Sequence, residues 1–179
     1  MGIDPSFGGS SKFGIVATRF VNERIEVVVA EEHNRPDFAS MISRIFEIKQ
    51  QMGISACYVD AANPEVWQSL KKEVFNESYS ESYIAEKTAY CKKHNLDLNT
   101  YMVCIPVPFS TQGRAMLQHA KPLVEDPDGL VLIDKSFDKL LMALRTASAE
   151  DSRLSKEQTS FHDVLDAFRL SLQFYRRSK

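Results

Sequence analysis

Four aspartates, Asp4, Asp60, Asp163 and Asp166, stand at points where the residue pattern changes from one element to the next. Carboxylates brought close together repel and raise one another's proton affinity unless a divalent ion neutralises them, so a convergent set of acids points to metal chemistry. All-oxygen ligation suits Mg²⁺ or Mn²⁺ rather than zinc. Asp163 and Asp166 are three residues apart in a predicted helix and project from one face. Asp166 interrupts an otherwise apolar helix beside its buried stripe, where a carboxylate needs a reason to be. Each acid alone has an ordinary alternative. Asp4 precedes Pro5 and suits a turn, Asp60 suits a loop cap, and Asp163 suits the positive end of a helix. Their conjunction in chain order favours a shared site. His33, His94 and His119 occur singly and form no zinc pattern, and His162 beside Asp163 suits a capping role as well as a ligand-orienting one.

The elements that must position these acids follow from periodicity. Gly2 to Asp4 reads as the end of a first strand, and a Gly/Ser-rich turn follows over 7–11. Two β-branched stretches, 13–20 and 24–31, flank the turn residues Asn22 and Glu23 and read as a hairpin. After Pro36, the apolar residues Phe38, Met41, Ile42, Ile45 and Phe46 recur at helical spacing until Gly53. The run 54–60 reads as a strand covered on both faces, and a helix begins at Pro64. The polar middle, 76–99, is helical around 83–93. A strand over 101–108 carries two prolines, which suggests its end or a sheet edge. Further elements are a helix over 111–124, a strand over 130–133 and a helix over 137–146. The Ser-, Glu- and Asp-rich stretch 148–159 is the candidate mobile loop or linker. A last helix over 161–175 has the stripe Val164, Leu165, Phe168 and Leu172. Three antiparallel strands followed by right-handed crossovers give an α/β fold with a mixed sheet flanked by helices, whose first strand lies parallel to its fourth. Asp4 and Asp60 then meet at the carboxyl edge, where open α/β sheets bind ligands.

Composition sets the outer bounds. The 179 residues suit one domain, 44% of them are apolar, and the formal charge of -2 excludes a basic coat over the whole surface. Three widely spaced cysteines argue against a disulfide scaffold and fit a reducing compartment. No apolar run reaches the roughly 18 residues needed to span a bilayer, so no membrane association is expected. A phosphate-binding loop of the GxxxxGK[ST] type is missing from the sequence, so an ATP-driven motor would need other residues.

Three segments carry a resemblance: Gly2-Ile3-Asp4-Pro5, Tyr58-Val59-Asp60-Ala61 and His162-Asp163-Val164-Leu165-Asp166-Ala167. Together they resemble the acidic motifs of the ribonuclease H-like nucleases, and within them most closely the C-terminal nuclease domain of the viral and phage terminase large subunit. The resemblance implies a ribonuclease H-like mixed sheet of five or more strands over a single nuclease domain, 1–179. It also implies an endonuclease that cuts concatemeric double-stranded viral DNA during packaging, with two Mg²⁺ or Mn²⁺ ions. Asp4 and Asp60 would bridge or flank the ions, Asp166 would complete the site from the last helix, and Asp163 would be a further ligand. The short stretch before Asp4 further implies a domain excised from a longer chain with an upstream ATPase motor. Partners would be the terminase small subunit and the portal protein, inside the host cell.

DNA contact by a slightly acidic chain must be local. Lys12, Lys71, Lys72, Lys92, Lys93, Arg114, Lys121, Arg176, Arg177 and Lys179 are candidates for phosphates. Lys12 and Arg114 are singled out because their predicted loops lie at the catalytic edge, and weak, largely sequence-independent binding is expected. Alternatives are a Holliday-junction resolvase-like nuclease and a non-catalytic docking module of a packaging complex. An actin-like ATPase shares the topology but needs two such halves.

Overall fold

In a computed structural model, which describes residues 1–6, 12–76, 80–94, 103–150, 153–155 and 157–175, the chain builds a six-stranded sheet in the order β5-β4-β1-β2-β3-β6. Strands β1 (Gly2–Asp4), β2 (Phe13–Val21) and β3 (Arg24–His33) are antiparallel neighbours. The β2–β3 turn is tight because Asn22 and Glu23 both take positive φ, 49° and 63°, which matches the twist of the flanking strands. Strand β4 (Cys57–Asp60) runs parallel to β1, and β5 (Cys104–Val107) runs parallel to β4. Strand β6 (Val131–Leu132) lies parallel to β3 at the far edge. This is the mixed sheet expected from the sequence. Pro106 sits in the edge strand β5, where a missing N–H costs least. Of the strand expected over 101–108, residues 101 and 102 lie outside the described residues.

Helix α1 (Phe38–Met52) begins where the Asp37 carboxylate accepts the Ser40 N–H at 2.9 Å, and ends at Gly53, whose φ of 63° suits glycine. Its buried residues are Met41, Ile45 and Ile48, whereas Phe46, expected in the stripe, is 44% exposed. Helix α2 (Pro64–Ser69) widens into a π turn over Leu70–Val74 and is followed by α3 (Glu81–His94). Helices α4 (Phe109–Val124) and α5 (Asp138–Thr146) follow β5 and β6. Within the stretch 148–159, β7 (Ala149–Glu150) and β8 (Arg153–Leu154) pair antiparallel, and Ser155 N–H donates to the Ser148 carbonyl at 2.8 Å. Helix α6 (His162–Ser171) runs on into a 3₁₀ turn, Leu172–Phe174.

The sheet separates two apolar layers. Ile3, Ile15, Val29 and Val59 face α1 through Met41, Ile45 and Ile48. On the other face Val16, Ile25 and Val27 pack against Val164, Leu165 and Phe168 of α6. Ile105, Val107, Met116 and Leu170 close the corner between β5, α4 and α6. All three cysteines are free and buried, with Cys57 and Cys104 in register on β4 and β5. Among the described residues no helix is long and apolar enough to cross a membrane.

Two glycines let α6 settle directly on the sheet. A Cβ on Gly2 would stand 2.0 Å from the Ala167 carbonyl oxygen, and one on Gly14 would stand 2.3 Å from the Asp163 carbonyl oxygen. Only a residue without a side chain allows that approach. The consequence is positional, because the α6 N-terminus comes to rest over β2 beside Asp4, which pairs with Gly14.

Candidate active site

The register sets out a row of residues across the sheet. Asp4 is opposite Gly14 and Gly14 is opposite Glu32, while Ile3 pairs with Val59, so Asp4 and Asp60 each follow by one residue on neighbouring parallel strands. Side chains alternate along a strand. Ile3, Val59 and Ile15 face α1, so Asp4, Asp60, Gly14 and Glu32 face the α6 side. Tyr58, two residues before Asp60, confirms the phase by packing in the α4–α6 corner. Strands lie about 4.8 Å apart, which sets the spacing of the row.

Helix α6 carries the remaining two acids, and its Asp163 end lies over Gly14. Asp163 is 4% exposed, and its Oδ2 accepts the Lys12 backbone N–H at 3.1 Å. His162 Nε2 lies 3.4 Å from Asp163 Oδ1. Asp166 is 3% exposed and accepts a hydrogen bond from Arg169, one turn along the helix. Arg169 is also buried; it donates to the Gly113 carbonyl at 3.3 Å and lies over the Phe109 ring at 5.4 Å. Asp4 is 7% exposed, and Asp60 is half-buried with Oδ1 accepting the Ala62 N–H at 3.2 Å.

Asp4 and Asp60 thus end adjacent parallel strands on the α6 side of the sheet, and the Asp163 backbone lies above Gly14. Asp166 stands apart from that set in one respect, being paired with Arg169. Lys12 lies beside the acids, whereas Arg114 is exposed on α4, next to the Gly113 carbonyl that Arg169 binds. Arg176, Arg177 and Lys179 lie outside the described residues.

The donor set is all carboxylate oxygen, the chemistry of a hard divalent cation. Among the described residues no group of three or more His, Cys, Asp or Glu side chains is arranged to hold a metal ion. The fit is therefore one of donor type and location, centred on Asp4 and Asp60, and not of a closed protein cage. Mg²⁺ commonly takes one or two carboxylates and completes its shell with water and substrate phosphate, which such a pair can serve.

The large terminase nuclease from thermophilic phage G20c, with bound cobalt, aligns over 98% of this chain and 94% of its own, with 14% identity and a TM-score of 0.48. No protein-family model and no curated protein matches the sequence.

Two residues at this edge escaped the sequence reading. Glu32 has a fully buried side chain paired with Lys12 Nζ at 2.9 Å, and Arg169 neutralises Asp166. The signal for Arg169 was present in the i, i+3 spacing with Asp166 on an apolar helix. For Glu32 there was no usable signal, since Glu31 beside it has the same chemistry and a strand pattern alone does not say which of the two points inward.

Proposed function

We propose that this chain is a divalent-metal-dependent nuclease that hydrolyses phosphodiester bonds of double-stranded DNA, of the terminase large-subunit type. The observation that carries the reading is the neighbouring placement of Asp4 and Asp60 on parallel β1 and β4, with the acidic α6 N-terminus resting on Gly14 beside them. Mg²⁺ or Mn²⁺, when bound, would supply a nucleophilic hydroxide and stabilise the departing 3′ oxygen, with two ions as the working number.

The residues of the chain position and balance charge. Asp4 and Asp60 would hold the ions from the sheet. Asp60 is kept in a fixed turn by its bond to the Ala62 N–H. Asp163 is oriented by the Lys12 N–H and by His162. Asp166 would contribute to an ion from α6 to the extent that Arg169 releases it, and the buried pair otherwise fixes the helix against α4 through Gly113. Lys12 and Arg114 would contact backbone phosphates without reading base edges. Concatemeric viral DNA as substrate, the terminase small subunit and portal protein as partners, and a place inside the host cell belong to the same proposal.

Incubation of the protein with supercoiled plasmid tests it. Nicked and linear products should form with Mn²⁺ or Mg²⁺ and vanish when EDTA is added. Plasmid that stays intact with both metals over a range of protein concentrations contradicts the proposal.

A further inference from the structure

Glu32 is an expensive residue to bury. Its side chain is 0% exposed, one carboxylate oxygen takes the Lys12 ammonium at 2.9 Å, and the other, Oε1, has no hydrogen-bond partner among the described residues. A buried carboxylate with an orphaned oxygen is a poor device for stability. What it does achieve is to hold Lys12. The ammonium of Lys12 also lies 5.3 Å from the centroid of the Phe161 ring, and its backbone N–H donates to Asp163. Phe161 takes φ 52° and ψ 43°, a left-handed conformation that is strained for a bulky residue, and this strained residue is the one whose ring supports the lysine.

We infer that Lys12, held by Glu32 and Phe161, is a preorganised binding position for a DNA backbone phosphate, with Glu32 as its positioning residue. The Lys12 side chain is 35% exposed and spends one of its three donors on Glu32, so the ammonium can meet solvent and a phosphate oxygen while its stem stays fixed. Fixing a long side chain beforehand removes ordering entropy from the binding step. Glu32 lies in the same cross-sheet row as Asp4, so the phosphate held by Lys12 would be near the one presented to the acids. The inference rests on the nuclease reading for the choice of DNA as the phosphate source.

The test is binding of a short duplex DNA in EDTA, followed by fluorescence anisotropy from about 50 to 200 mM salt. Lys12→Met should lower the slope of log affinity against log salt by about one. Glu32→Gln removes a negative charge, which by charge alone would tighten binding. Preorganisation predicts the opposite, about fivefold weaker binding at fixed salt with Lys12 still present. Phe161→Leu, which keeps apolar bulk and loses the ring face, should weaken binding in the same direction and stands in if the Glu32 variant does not fold. An unchanged slope in Lys12→Met, or a folded Glu32→Gln that binds as tightly as wild type or more so, overturns the inference. Metal-dependent plasmid cleavage read on the same preparations separates the two claims, because the nuclease reading fails there without altering the metal-free binding result.

Discussion

Glu31 and Glu32 are neighbours in sequence and serve opposite faces of the sheet. Glu31 pairs with Ile15 and reaches Arg44 of α1, whereas Glu32 pairs with Gly14 and reaches Lys12 on the α6 side. Burial alone would raise the Glu31 carboxyl, but the hydrogen bonds and charges of Arg44 and His33 outweigh it and hold it below its ordinary value of 4.5. A carboxylate depressed in the folded state adds stability that is complete above its unfolded pKa and is lost as pH falls through the folded one. Urea unfolding below about pH 4.5 should therefore weaken wild type more steeply than Arg44→Met; parallel pH profiles would contradict that coupling. Asp166 and Arg169 allow a sharper prediction. Asp166→Ala leaves a buried guanidinium without its carboxylate and should cost about 3 kcal/mol or more, while Asp166→Leu combined with Arg169→Leu should recover much of that loss. Equal destabilisation by the single and double variants in urea melts would show that the pair is not what fixes α6.

At the scale of elements, the close approach of α6 to the sheet determines how near Asp163 comes to the Asp4 end of β1. Gly14→Ala would push a methyl against the Asp163 backbone and should destabilise by about 3 kcal/mol, read as a lower melting temperature, with metal binding lost as α6 lifts. By comparison, Asp37→Ala removes only the α1 cap and should cost about 1 kcal/mol. A Gly14→Ala variant no less stable than Asp37→Ala would mean that α6 does not rest where described. The hairpin, α1, the Asp60 strand and the placement of Asp4 beside it were legible because alternation, caps and chain order specify them locally. The inward turn of Glu32 was not legible. Ala17 pairs with Val29 and Thr18 with Val27, so Val28 is an extra residue that reverses the phase of β3, and a one-residue shift exchanges the two faces. Phe46 misled for a related reason, since helical spacing marks a wide stripe and the partner surface decides which edge of it is covered.

For the molecule as a whole, a formal charge of -2 means that the proposed attraction to DNA would have to come from a few local groups rather than from a basic surface. Arg114→Ala on α4 should lower the salt slope of duplex binding by about one, with little effect on folding because the side chain is exposed; an unchanged slope would remove α4 from the DNA path. The central claim is that Asp4 and Asp60 together hold the catalytic cations. Asp60→Asn tests it most cleanly, since the amide oxygen can still accept the Ala62 N–H and keep the turn while the charge is lost. Supercoiled-plasmid cleavage in Mn²⁺ should fall by about a hundredfold in Asp60→Asn, equivalent to about 2.7 kcal/mol of barrier, with the melting temperature near that of wild type. Cleavage by the folded variant at the wild-type rate would contradict the account.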